Sequence, residues 1–162
     1  MAFHDAILRG ESEFTAAERE LIAAYTSVLN ACDFCHGSHQ IIAGFHGIEP
    51  AVSANLVSDL TQAGLEENWL PLLAYVDKLT ESPARLTGGD VQAVFAAGWS
   101  EDALYDAIVV GATFNLMNRI VEGCEVWPAA EGRAASRERH QAVKSSDLPY
   151  TYSGRLFGID PD

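Results

Sequence analysis

Basic residues, cysteines and long apolar runs are all scarce in this chain. Ten Lys and Arg stand against 23 Asp and Glu, a formal net charge of −13 at pH 7. A nucleic-acid partner would need a basic patch to meet phosphates, and an anionic membrane surface would ask the same. Neither is expected. No apolar run approaches the roughly 18 residues of a membrane span. The opening segment does not have the basic-then-apolar form of a signal peptide, so a cytoplasmic location is expected. Three cysteines, Cys32, Cys35 and Cys124, are too few and too odd in number for a secreted disulfide framework. Repeats, low-complexity segments and strand-like alternation are absent or nearly so.

What is present is enough for one folded domain. A chain of 162 residues that is 48% apolar is not disordered by composition. Thr15-Ala-Ala-Glu18 has the form of a capping box and predicts the first helix. Leu21, Ile22, Tyr25, Val28 and Leu29 follow at helical spacing, and Asn30 is expected to break or bend the run. A second helix is expected from near Cys32 to Phe45, closing at Gly44 or Gly47. Pro50 opens a third, which continues through Val52, Leu56, Val57 and Leu60 towards Gly64. Further helices are expected over Trp69–Leu79, over Thr87–Ala97 and, the longest, from Ser100 to Gly123. Trp127-Pro128 is read as the end of that last helix. The charged stretch 131–144 reads as a solvent face, with scope for a peripheral helix. The tail from Ser145 shows no periodicity and reads as an extended arm or loose end. The expected fold class is all-α, with a helical domain over 1–144 and an irregular C-terminal tail over 145–162.

Chemistry concentrates between Glu20 and His39. If a helix starts at Cys32, then Cys32, Cys35 and His39 stand at i, i+3 and i+7 and share a face. The helix-start charge would favour a thiolate at Cys32. His39 is placed to take a proton from the Cys35 thiol, directly or through one water. Two thiols a turn apart can close a disulfide after one is oxidised. Before any resemblance is weighed, Cys-x-x-Cys leaves redox chemistry, metal binding and coincidence open. A Cys2His2 metal set from Cys32, Cys35, His36 and His39 would have to converge from two turns of one helix, with His36 off the common face. His36 therefore reads as a solvated surface side chain. His4, His46 and His140 have no partner at telling spacing and read as solvated too. Tyr25, Trp69, Phe95 and Trp99 read as core or interface, and Cys124 as a packed small hydrophobe. Asn115, Asn118 and Arg119 form a polar edge on the longest helix, read as structural support for the Cys helix or as a subunit contact.

Glu20, Cys32-x-x-Cys35 and His39 have the spacing of the core motif of the AhpD-like alkylhydroperoxidase family, within the carboxymuconolactone decarboxylase superfamily. Gly98-Trp-Ser-Glu-Asp-Ala and Asn115-Leu-Met-Asn118-Arg119 are similar to a later helix of its peroxidase-related branch, and Ser82-Pro83-Ala-Arg-Leu-Thr to the linker before it. The resemblance spans roughly residues 11–127. It implies that Cys35 is the peroxide-reactive thiol, assisted by His39 and Glu20 in a water-linked relay, and that Cys32 is the resolving thiol. Helix-start physics, in contrast, favours Cys32 as the attacking group. Some members carry a His just before the second Cys, where this chain has Phe34. The resemblance further implies a hydroperoxide substrate, no metal, haem or flavin cofactor, and a dithiol reductant such as a lipoylated or thioredoxin-like protein. It also implies a homo-oligomer, to which the tail from Ser145 could contribute by wrapping a neighbour. Two other readings remain. One is a dithiol redox sensor or exchange protein with little turnover. The other is a decarboxylase of the superfamily, which would not need the Cys pair.

Overall fold

The computed structural model describes residues 2–126 together with 134, 137, 138, 141, 142 and 149–151. Over residues 2–126 seven α-helices follow one another: α1 (Ala2–Arg9), α2 (Ala16–Leu29), α3 (Asp33–Phe45), α4 (Pro50–Ser58), α5 (Trp69–Glu81), α6 (Gly88–Ala96) and α7 (Glu101–Gly123). Single 3₁₀ turns at Leu60–Gln62 and Pro83–Arg85 join α4 to α5 and α5 to α6. No strand occurs among the described residues, and the all-α expectation holds. None of their helices is long and apolar enough to cross a membrane.

The helix starts follow from local chemistry. At α2 the Thr15 hydroxyl accepts the Glu18 amide while the Glu18 carboxylate accepts the Thr15 amide, which completes the expected capping box. Ser100 caps α7 by accepting the Ala103 amide. The sequence reading places the first helix at Thr15, whereas the structure adds α1 before it. Eight residues, with an Asp among the two buried positions, are too short a run to read as an amphipathic helix.

Helix α2 is the centre of the fold and touches α1, α3, α4, α5 and α7. From Ala17 to Ser27 every residue but Glu18 is buried. Such a helix must be small where neighbours press close, and Ala23 and Ala24 are fully enclosed. Its polar side chains must also find partners inside. Thr26 and Ser27 return their hydroxyls to the carbonyls of Ile22 and Ala23, and Arg19 donates to the carbonyls of Ile7 and Gly10. Leu21, Ile22, Leu72, Leu73 and Val76 are fully buried around it. Each such side chain contributes about 1.5–3 kcal/mol by leaving water. Phe14, Trp69 and Trp99 pack ring on ring at 5.0–5.7 Å beside the start of α2, and Trp99 donates its indole N–H to the Asn68 carbonyl. Phe95 is half-buried against the same core and Tyr25 lies within it.

The α2–α3 connection is the turn that matters for the site. Asn30 ends α2, as expected, and Ala31 takes a left-handed conformation with φ of 54°. The Ala31 amide then bonds the Val28 carbonyl and the Cys32 amide bonds the Ser27 carbonyl, closing the helix end. Glycine is the usual residue at such a position because a Cβ costs about 1 kcal/mol there. Alanine holds it here, and the turn sets Cys32 directly at the head of α3. Gly47, with φ of 103°, closes the far end of α3 in the same way.

At the other end of the chain, residues 134, 137, 138, 141 and 142 are helical and exposed, which fits a solvent face. The Trp127-Pro128 stop, His140 and most of the tail fall outside the described residues. α7 itself ends at Gly123, where Glu125 takes the left-handed position. Residues 149–151 are helical, and Pro149 and Tyr150 are buried. Around Tyr150 the tail is therefore neither extended nor loose. Cys124 is exposed, against its reading as a packed hydrophobe, because it caps α7 at the surface.

Candidate active site

Helix α3 packs along α2 and presents Cys35, His39, Ile42 and Ala43 as its buried face. His39 lies one turn beyond Cys35. Glu20 meets it from the middle of α2: Glu20 Oε2 is 2.6 Å from His39 Nδ1. The fold thus brings together a carboxylate and an imidazole from different helices. An ionised carboxylate only accepts, so Nδ1 carries the hydrogen in this contact. In the neutral ring, Nε2 is left as the proton acceptor. Phe114 of α7 stands edge-on to the imidazole at 4.3 Å and keeps that side apolar.

Two further donors hold the other carboxylate oxygen. Arg9 Nη2 lies 2.5 Å from Glu20 Oε1, and the Tyr150 hydroxyl donates to the same oxygen at 2.7 Å. Burial by itself would push the Glu20 carboxyl up. The charge and hydrogen bond of His39, then Arg9, then Tyr150 outweigh it and hold the carboxyl down, at about 2. Glu20 is thus a buried carboxylate whose partners favour the ionised form. The Tyr150 phenol moves the other way, well above its ordinary value, because of burial and the Glu20 charge.

Cys32 and Cys35, at the head of α3, are both free thiols. Cys32 is fully enclosed and Cys35 is 5% exposed. Burial pushes the Cys32 thiol up to about 12 against the pull of the helix-start amide at Cys35, and Glu122 adds to the rise. The thiolate preference expected for Cys32 from its place at the helix head is therefore overridden. Burial also raises Cys35, but hydrogen bonds from the Cys32 thiol and the Asn118 side chain oppose the rise. Cys35 is thus the more accessible thiol, and its sulfur has two side-chain donors where Cys32 has one backbone amide. Among the described residues, His39 makes no direct hydrogen bond to Cys35.

The polar edge of α7 supports this helix from beneath. Asn118 is buried and donates to Ser27 Oγ at 3.0 Å. Asn30 donates to both Asn115 and Asn118, and Arg119 donates to Asn115. These bonds tie the α2–α3 turn to α7, the structural support expected for Asn115, Asn118 and Arg119. His36 is not a solvated side chain: it is half-buried, and its Nδ1 donates to the Ala24 carbonyl at 3.0 Å. His4 is not solvated either. It stacks on Tyr150 at 5.5 Å, and burial and the nearby His39 lower its proton affinity. His46 is exposed. No three of the described His, Cys, Asp and Glu side chains come together in a way that could hold a metal ion.

Sequence reasoning missed Arg9, Asp5 and Tyr150. Arg9 closes an eight-residue helix, and Tyr150 lies 130 positions from Glu20 in a segment without periodicity. The one signal available was composition: a Pro-Tyr-Thr-Tyr run of packable residues in a tail otherwise read as loose.

The helices that carry Glu20, Cys32, Cys35 and His39 belong to a fold shared with solved structures. The chain superposes with a TM-score of 0.75 on an uncharacterized peroxidase-related protein from Silicibacter sp. TM1040, at 26% identity, covering 82% of this chain and 69% of that one. It superposes equally, at 24% identity, on an uncharacterized peroxidase-related protein from Ralstonia eutropha JMP134 described as an alkylhydroperoxidase AhpD core, covering 84% and 72%. No protein-family model and no curated protein matches the sequence. The fold is AhpD-like, as the sequence resemblance implies.

Proposed function

We propose that the protein is a thiol-dependent peroxidase that reduces hydroperoxides through Cys35 and Cys32. The observation that carries this reading is the buried Glu20–His39 pair one helical turn from Cys35. His39, oriented by Glu20, accepts the Cys35 proton through a water. The Cys35 thiolate attacks the terminal oxygen of the hydroperoxide. The O–O bond breaks, Cys35 becomes a sulfenic acid, and the alcohol leaves with the proton returned to it. The Cys32 sulfur then attacks the Cys35 sulfur, water departs, and a Cys32–Cys35 disulfide remains. An external dithiol, lipoylated or thioredoxin-like, restores both thiols by exchange. Each turnover thus converts one hydroperoxide and one dithiol into alcohol, water and disulfide. The chemistry calls for no metal, haem or flavin.

Treating the reduced protein with one equivalent of cumene hydroperoxide tests the cycle. Loss of two hydrogens, mapped to a Cys32–Cys35 bridge and reversed by dithiol, supports it. Thiols that stay reduced refute it for this substrate. One observation favours a second reading, a dithiol sensor with little turnover: both sulfurs are buried and both thiols are pushed up. Repeated turnover with excess dithiol separates the two. A decarboxylase has less support, since its chemistry would leave the Cys pair unused.

We further propose a cytoplasmic homo-oligomer. Phe3, Tyr105, Leu116 and Ile120 are exposed apolar side chains, three of them on α7. A second copy covering them would remove that surface from water.

A further inference from the structure

The C-terminal segment enters the site in a way that the Cys–His motif does not require. Tyr150 is held at both ends. Its amide donates to Asp5 Oδ1 at 2.9 Å, and the next residue, Thr151, donates its amide and its hydroxyl to Asp5 Oδ2 at 2.7 and 2.5 Å. Asp5 is only 2% exposed, so this buried carboxylate spends its acceptor capacity on fixing residues 150 and 151. The Tyr150 ring then stacks on His4 and lies 5.4 Å from the Arg9 guanidinium. Its hydroxyl, 2.7 Å from Glu20 Oε1, is also 3.5 Å from His39 Nδ1.

We propose that Tyr150 is a positioning residue of the Glu20–His39 relay: it occupies one carboxylate oxygen so that the other serves the imidazole alone. The assignment rests on the reading of Glu20 and His39 as the relay that deprotonates Cys35. A carboxylate with a free oxygen can rotate and share its proton acceptor sites. With Oε1 engaged by Arg9 and Tyr150, Oε2 has His39 as its partner. The phenol stays protonated in its buried place beside an anion, so it donates throughout and takes no proton itself. Its hydrogen bond also draws negative charge away from Oε2. The carboxylate then orients the imidazole through Nδ1 with less of its charge concentrated on Oε2. The charged and titratable groups facing this cluster are His4, Asp5 and Arg9 from α1, Arg19 from α2 and His39 from α3.

The test is Tyr150→Phe, which removes one oxygen and keeps the ring and the Asp5 anchor. The readout is the rate of Cys35 alkylation by iodoacetamide against pH in the reduced protein, followed by peptide mapping. Without the phenol hydrogen bond the carboxylate is a stronger partner for a protonated imidazole, so more acid must be removed before His39 can act. The expected result is a rate at pH 7 lowered about threefold. The low-pH limb of the profile should also move up by about half a pH unit, with the high-pH plateau retained. Replacing Tyr150 by 3-fluorotyrosine, a more acidic phenol of nearly the same shape, should move that limb in the opposite direction. A Tyr150→Phe profile that superposes on the parent overturns the proposal. So does a rate lowered equally at every pH, which is the mark of a merely structural role. Alkylation needs no peroxide, so the two readings fail separately. A parent protein inert to cumene hydroperoxide but showing the shifted limb sinks the peroxidase and leaves the Tyr150 assignment standing.

Discussion

Glu20 and His39 touch at 2.6 Å across 19 positions of sequence, from two different helices, with the carboxylate wholly out of water. Exchanging that carboxylate for an amide, Glu20→Gln, leaves Arg9 facing a neutral group and removes the anion that orients the imidazole. Loss of one partner from a buried ionic cluster costs about 3–5 kcal/mol of stability. Peroxide-dependent loss of thiols should slow by about a hundredfold or more. Urea unfolding and a thiol assay on the same preparation check both; unchanged thiol oxidation in a folded variant would remove Glu20 from the relay.

The same carboxylate makes a signed prediction for acid. Its folded value is held near 2, below the ordinary 4.5, so its contribution to stability is complete above about 4.5 and is lost as pH falls through about 2. The parent should therefore lose stability steadily in that window. Glu20→Gln, although weaker at pH 7, should lose less between the two values. Unfolding free energies at pH 7, 4 and 3 decide it.

The two thiols should separate cleanly by substitution. Cys35→Ser should abolish reaction with hydroperoxide. Cys32→Ser should still be oxidised once and stop at a sulfenic acid that dimedone traps. Mass spectrometry after one equivalent of peroxide reads both. The reverse pattern would make Cys32 the attacking thiol, despite its complete burial and its thiol pushed up to about 12.

Asn118 supplies a donor to the Cys35 sulfur and another to Ser27. Asn118→Ala should raise the Cys35 thiol further and slow its alkylation several-fold near pH 8. It should also cost about 1–3 kcal/mol, because buried groups on α2 and α3 lose their partner. Asn118→Asp offers an acceptor in place of the donor and should slow alkylation more than Ala does.

Ala31 holds a left-handed turn that glycine fills without strain. Ala31→Gly should stabilise the protein by about 1 kcal/mol, with thiol reactivity unchanged. Chemical denaturation reads the gain. A loss would mean that the added freedom of the unfolded chain outweighs the relieved strain.

The parts of the site that were legible in the sequence are those that sit on regular helices. Glu20, Cys35 and His39 fall on periodic segments, where spacing alone fixes the face, and the capping box at Thr15 sets the register of α2. The α2–α3 turn was harder, since a left-handed alanine leaves no compositional mark. The outer half of the cluster was not legible. Arg9 belongs to a helix of eight residues whose buried face carries Asp5, and Tyr150 reaches Glu20 from 130 positions away. Contacts of that kind depend on tertiary packing, and no local period encodes them. Likewise His4 and His36 read as solvated because their partners are a ring in the tail and a backbone carbonyl on α2.

Closure over Glu20 by Tyr150 also imposes an order on synthesis. A chain growing from its N-terminus makes α2 and α3 early, and with them the carboxylate, the imidazole and both sulfurs. The hydroxyl that completes the carboxylate's shell is made 130 residues after it. Until then Arg9 is the one of these two donors that the chain can offer Oε1. The carboxylate, the imidazole and both sulfurs are thus all synthesised well before the tyrosine that meets Glu20.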